Sequence, residues 1–209
     1  MTTVNNDPYI MIRDDVFAKD FCNHCIKKFD KDNRSVTGAV GHGIDLDVKL
    51  SQDLNITVLP DWQEENNVFR EVAQMCVYEY TQHCNDKNPL PFTVNPFAIQ
   101  NEDGVIGDTG FQIQRTNPGP VGYSWHNDAY FNLQSAREVK GNRTVTFIFY
   151  LNTVDEGWTQ FYNGDQISPE TGNACIFPAT WTYVHQGYPP KQTKYIVTGW
   201  IYVNGYWQE

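Results

Sequence analysis

Basic charge is scarce in this sequence: 15 lysines and arginines stand against 25 acidic residues, for a formal net charge of -10, and they form no run. Attraction to a phosphate backbone or an anionic membrane through counterion release is thereby excluded as a default, so neither nucleic acid nor membrane is expected as a partner. Long apolar stretches are missing too. None approaches the ~18 residues that a membrane span requires, and the start, "MTTVNNDPYIMIRDD", has neither the basic nor the apolar region of an export signal. The expectation is a soluble, cytoplasmic protein. Cysteines number only five, odd and dispersed, which excludes a disulfide framework and agrees with a reducing compartment. One pair, Cys22-x-x-Cys25, has the spacing of a zinc half-site but no second pair to complete it. Both fall on the stripe Phe17, Phe21, Cys22, Cys25, Ile26, Phe29, whose helical spacing assigns them to core packing. Internal repeats and low-complexity tracts are also lacking.

What is present is an aromatic-rich chain, long enough for one core, read as a single domain over 1–209 with a helical part over about 10–90 and a β core over about 92–205. The spacing of apolar residues predicts an amphipathic helix over 14–31, with Asp14 or Asp15 as its cap, and a second over 62–84 carrying Phe69, Val72, Ala73, Cys76, Val77 and Tyr80. Between them, "TGAVGHGIDLDVKLSQDLNI" reads as loop with short strand pieces. From residue 92 strand-like runs alternate with Gly, Pro and Asn: 92–100, 110–116, 122–126, 143–151, 158–162, 174–178, 182–186 and 194–203. Runs at this spacing predict an antiparallel sandwich or jelly roll, an α+β but mainly β fold with two N-terminal helices on one sheet. In "RTVTFIFYL", Val145, Phe147 and Phe149 share one face, and Thr144, Thr146, Ile148 and Tyr150 the other.

Within "GYSWHNDAYF", alternation puts His126 and Asp128 on one side of an extended segment, where an imidazole and a carboxylate converge on one cation. By itself His-x-Asp is a weak signal and is compatible with a surface polar pair. Of the five histidines, His24 and His83 lie in the helical half and His42 in a glycine loop, which leaves His185 as the other histidine of the β half. It occupies an apolar strand ending in the turn "GYPPK", where an unpaired imidazole is costly to bury, although a hydrogen-bonded core histidine is the commoner case. Two histidines and a carboxylate from separate strands form the facial triad of non-heme Fe(II) oxygenases. Lys194 opens the next apolar run, and between Glu170 and Glu209 the chain has no acidic residue. A buried ammonium needs an anion, so a ligand carboxylate is the natural partner.

The segments "GYSWHND", "RTVTFIFYLN", "EGWTQFY", "TGNACIFPATWTYVHQGYPP" and "KYIVTGWIYV", in this order, are similar to those of the 2-oxoglutarate/Fe(II)-dependent oxygenases, in particular their prolyl 4-hydroxylase-like branch, from about Gly110 to Val203. The resemblance implies a double-stranded β-helix (jelly roll), with His126, Asp128 and His185 as Fe(II) ligands and Lys194 as the partner of the distal carboxylate of 2-oxoglutarate. Tyr123, Thr198 and Trp200 fall on positions that line the cosubstrate pocket. Implied cofactors are Fe(II), 2-oxoglutarate and dioxygen, with ascorbate as an auxiliary reductant. The implied reaction hydroxylates a C–H bond, foremost of a prolyl residue in a peptide or protein, the alternative substrate being a free amino acid or other small molecule. A rival of another class is a non-catalytic metal-binding β-sandwich interaction protein. Thr116 stands where many relatives place a tyrosine that reaches 2-oxoglutarate, and Trp158 where a smaller residue is common, while Thr159 and Phe161 fit the pattern. Lys49 and Ser51 match a basic-x-Ser segment at the substrate groove. Trp125 and Phe147 are expected, with Tyr123 and Trp200, to wall an aromatic cavity, and the 129–142 loop to cover it.

Overall fold

The computed structural model describes residues 3–41, 43–87, 106–129 and 142–203. The elements are β1 (Met11–Arg13), α1 (Lys19–Lys31), β2 (Val36–Thr37), β3 (Gln52–Asn55), α2 (Gln63–Lys87), β4 (Ile106–Asp108), β5 (Gln112–Thr116), β6 (Tyr123–His126), β7 (Asn142–Tyr150), β8 (Thr159–Phe161), β9 (Gln166–Ile167), β10 (Ala174–Pro178), β11 (His185–Gly187) and β12 (Lys194–Val203). They build two antiparallel sheets. The larger runs β1-β10-β7-β12-β5-β3-β2 with β4 also on β12, and the smaller runs β6-β11-β8-β9. No helix among the described residues is long and apolar enough to cross a membrane.

The strand β7 shows why two layers form on this sheet. Val145, Phe147 and Phe149 join one buried cluster with Cys22, Cys25 and Phe29 of α1 and Phe69, Ala73, Cys76 and Tyr80 of α2. Ile148 and Tyr150, on the opposite face, pack with Phe161, Cys175 and Phe177 towards the smaller sheet. Period-2 alternation of apolar residues on both faces therefore places helices on one side and the second sheet on the other. The aromatic core is dense: Phe149 is fully buried and meets Phe17 edge-on at 5.0 Å and Phe147 stacked at 5.1 Å. All five cysteines are free and buried, Cys22 and Cys25 among the apolar side chains of α1. The helices are joined at Glu65, whose carboxylate accepts hydrogen bonds from Lys28 Nζ at 2.7 Å and stands 2.6 Å from His24 Nε2.

Two boundaries and one cap differ from the sequence expectation. The first helix begins at Lys19 rather than residue 14, because Met11–Arg13 pairs with β10 and Asp15 takes a left-handed φ of 53°. Asp14 and Asp15 do not cap it; the Asp14 carboxylate and the Asp15 backbone N–H are bound by the side chain of Asn173 at 2.7 and 3.0 Å. The strand expected over 182–186 is delayed to His185, since a turn closed by the Tyr183 N–H on the Thr180 carbonyl occupies its start. Short β1 and β9 carry too few residues to show alternation in the sequence. The expected strand 92–100, His42 and the bulk of the 129–142 loop lie outside the described residues.

Candidate active site

His126 ends β6 and His185 opens β11, and antiparallel pairing sets these two residues directly opposite each other. Cross-strand pairing alone therefore brings the imidazoles together, with ring centroids 4.3 Å apart. Asp128, two residues beyond, turns its carboxylate between them: Oδ1 lies 3.8 Å from His126 Nε2, and Oδ2 lies 3.6 Å from His185 Nε2. The three ligand atoms fall within 4.8 Å of one another. Close approach of the strands is part of the construction, because a Cβ on Gly122 would run into the carbonyl oxygen of Gly187.

Each imidazole is oriented by the same device. Nδ1 of His126 lies 2.7 Å from the Ser124 carbonyl oxygen, and Nδ1 of His185 lies 3.0 Å from that of Tyr183. A carbonyl only accepts, so Nδ1 carries the proton and Nε2 directs its lone pair at the common point. The Asp128 carboxylate is steadied by the Thr146 hydroxyl, which donates to Oδ2 at 2.7 Å. Burial, reinforced by the neighbouring His185, pushes the His126 pKa down to about 4, keeping the ring neutral as a metal requires. For Asp128 burial works upward, but the two imidazoles and the Thr146 hydroxyl outweigh it and hold the carboxyl below its usual range. Two imidazole Nε2 atoms and one carboxylate on one side are the donor set of a facial Fe(II) site, so the residues fit that ion.

A cavity of about 350 Å³ adjoins these three residues. Its floor is β12, where Lys194, Ile196, Thr198 and Trp200 point the same way, flanked by β5 and β7. The register places Thr116, Gln114 and Gln112 opposite the first three, and Ile148 and Thr146 opposite Thr198 and Trp200. Lys194 closes one end. It is 5% exposed, its Nζ donates to the Gly157 carbonyl at 2.7 Å, and desolvation pushes its pKa down to about 8. Among the described residues it forms no ion pair, which suits a carboxylate arriving with a ligand. A metal triad and a buried cation on one cavity fit a dicarboxylate that also chelates the metal.

Of the residues singled out in the sequence, His126, Asp128, His185, Lys194, Tyr123, Thr198, Trp200, Thr116 and Thr159 all reach this cavity. Tyr123 does so through an irregularity. Three residues from His126, it would face the other way in a regular strand, but the β6–β11 register slips between His185 and Gly187. The bulge turns both inward, and the rings stack at 3.6 Å and 17°. Two expected wall residues are elsewhere. Phe147 belongs to the helix-facing cluster, as its parity with Val145 and Phe149 demands, and Trp125 is 45% exposed on the outside, edge-on to Tyr162. Lys49 borders the cavity but pairs with Asp53, and Ser51 gives its hydroxyl to the same carboxylate. Sequence reasoning missed Gln112, Gln114, Thr146 and Arg143, whose guanidinium lies 3.6 Å over the Trp200 ring. For Gln112, Gln114 and Thr146 the signal was alternation, polar positions two apart about Ile113 and Val145; Arg143 has the parity of the helix-facing residues and gave no such signal.

Residues 111–202 match the profile of the 2OG-Fe(II) oxygenase superfamily. The match spans 92 of the 209 residues, so what it shows is an oxygenase segment, 111–202, within this chain. This oxygenase also shares its fold with solved prolyl hydroxylases. The viral collagen prolyl hydroxylase of Paramecium bursaria Chlorella virus-1, solved with 2-oxoglutarate, is 19% identical, with a TM-score of 0.63 over 93% of this chain and 96% of that one. A Trichoplax adhaerens prolyl hydroxylase, in complex with a peptide fragment of the hypoxia inducible factor oxygen degradation domain, is 16% identical, with a TM-score of 0.67 over 94% and 84%. A Pseudomonas putida prolyl-4-hydroxylase is 14% identical, with a TM-score of 0.59 over 92% of each chain. No curated protein sequence matches. The oxygenase segment implies Fe(II), 2-oxoglutarate and dioxygen as cofactor and co-reactants.

Proposed function

We propose that this oxygenase, acting as a single domain whose jelly-roll core is backed by the two N-terminal helices, hydroxylates a prolyl residue in a peptide or protein. The observation that carries the catalytic part is the convergence of His126, Asp128 and His185 with both histidine tautomers fixed by backbone carbonyls. These three would hold Fe(II), and Lys194 would pair with the distal carboxylate of 2-oxoglutarate through a charge-assisted bond. Bound together, metal and cosubstrate supply the activation of dioxygen that couples oxidative decarboxylation, to succinate and carbon dioxide, with insertion of one oxygen into a C–H bond.

The protein's own share is orientation. Thr146 holds the Asp128 carboxylate, and the Ser124 and Tyr183 carbonyls prevent rotation of the imidazoles. Ile148, Ile196 and the Trp200 ring keep bulk water from the space between Lys194 and the triad, while Thr198 and Thr159 offer hydroxyls beside it. Support for a peptide substrate comes from the shared fold with prolyl hydroxylases, one of them holding a peptide, and from the exposed Trp125–Tyr162 pair outside the smaller sheet, a surface suited to an extended chain. The test is 2-oxoglutarate-dependent succinate release with proline-containing peptides against free L-proline. Stimulation by peptides alone is the expected result; stimulation by free proline alone would transfer the assignment to a small-molecule hydroxylase.

A further inference from the structure

We propose that Asp53 is a positioning residue for the metal site, acting through Lys49 and the ring of Tyr123 on His126. Resting on the assignment of His126 as a metal ligand, it concerns what keeps that ligand aimed. The hydrogen bond from His126 Nδ1 to the Ser124 carbonyl fixes one end of the imidazole but leaves the ring free to rock about that bond. Tyr123 removes this freedom by lying face to face on it, centroids 3.6 Å apart and 17° from parallel. What holds Tyr123 is then the question.

The chain before β3 supplies the answer. Residues 48–50 run antiparallel beside β6: Lys49 bridges to Tyr123, the Leu50 N–H donates to the Gly122 carbonyl, and the Ser124 N–H to that of Val48. This pairing puts the Lys49 side chain next to the Tyr123 ring, with Nζ 5.1 Å from its centroid. An ammonium there attracts the ring through its quadrupole, more strongly because water is excluded. Left alone, so flexible a cation would seek solvent. Asp53 prevents it, binding Nζ at 2.6 Å within a pair whose side chains are 5% and 3% exposed, and the Ser51 hydroxyl fixes the carboxylate from its other oxygen at 2.7 Å. A buried ion pair is rarely more stable than an apolar pair of equal size, so stability alone gives no reason for one beside a metal site, and orientation does. Ser51, Asp53, Lys49, Tyr123 and His126 thus form a continuous chain ending on the metal-facing Nε2.

The readout is Mn(II) affinity of the apo protein by calorimetry, which needs neither dioxygen nor turnover. Asp53→Asn alone strands a buried ammonium and is expected to impair folding, so the informative variant is Lys49→Met/Asp53→Asn, which removes both charges. It should melt cooperatively yet bind Mn(II) about ten-fold more weakly, the scale on which partners of metal ligands act. Lys49→Arg, which keeps the cation and its carboxylate, should bind within about two-fold of the parent. In a Tyr123→Leu background the double change should cause no further loss. The proposal is overturned if Lys49→Met/Asp53→Asn binds within about two-fold of the parent, or if its loss adds in full to that of Tyr123→Leu. Absence of Mn(II) binding by the parent would instead overturn the metal site itself, and this inference with it.

Discussion

Lys194→Met should make the apo protein more stable and its cosubstrate binding worse, a pairing that a structural lysine would not produce. Desolvation takes the Lys194 pKa from the ordinary 10.5 to about 8, and at 1.36 kcal/mol for each pH unit this corresponds to about 3 kcal/mol for keeping the ammonium buried at pH 7. The bond from Nζ to the Gly157 carbonyl returns about 1 kcal/mol, so replacement by an apolar chain of similar length should stabilise by about 2 kcal/mol. The advantage depends on pH. Between about 8 and 10.5 the folded lysine has lost its proton while the unfolded one keeps it, so parental stability rises with pH through that window and the advantage of the variant disappears above it. Urea unfolding of both proteins at neutral and alkaline pH measures this. Binding of 2-oxoglutarate should move the opposite way: loss of a charge-assisted bond costs roughly 1.5–3 kcal/mol, about 10- to 150-fold in Kd. In the parent, affinity should fall as pH rises past about 8, where the ammonium begins to deprotonate. A variant that is destabilised at neutral pH yet binds 2-oxoglutarate normally would refute the assignment and make Lys194 a packing residue.

Thr146→Val removes the only hydroxyl found on Asp128 Oδ2 among the described residues and should weaken Mn(II) binding by about ten-fold with little change in melting, measured by calorimetry on the apo protein. Phe149→Ala, in the centre of the helix-facing cluster, should cost about 3–5 kcal/mol in urea unfolding without altering metal affinity in the protein that remains folded. Gly122→Ala should separate β6 from β11 and weaken metal binding, because the added carbon meets the Gly187 carbonyl; unchanged Mn(II) affinity would show that the strands need not approach so closely. Trp125→Ala, by contrast, should leave Mn(II) and 2-oxoglutarate affinity unchanged, since its ring lies outside the cavity; any effect should be on a peptide substrate.

The chemistry was more legible in the sequence than the geometry around it. His126, Asp128, His185 and Lys194 stand in runs whose order and spacing survive folding unchanged, because cross-strand pairing of His126 with His185 needs only the two strands. Alternation along β7 showed two buried faces but not which side each would meet; the polar Thr146 marked the cavity face, and Phe147, of opposite parity, went to the helices. Tyr123 reached the site through a bulge, which depends on the partner strand and leaves no mark in local pattern. The helix expected from residue 14 lost its first turn to tertiary bonds with Asn173 and β10, a competition that capping preferences do not register. Asp53 was invisible for a related reason: its importance lies in a contact with Lys49 that arises when residues 48–50 lie along β6.

The most direct test is a reaction of purified protein with Fe(II), 2-oxoglutarate and isotopically labelled dioxygen in the presence of proline-containing peptides, followed by peptide mass spectrometry and succinate assay. The account predicts a gain of one labelled oxygen on a prolyl residue, matched by succinate and abolished by Asp128→Ala. Oxygen-independent modification, or no succinate and no labelled peptide from protein shown to bind Mn(II) and 2-oxoglutarate, would contradict it.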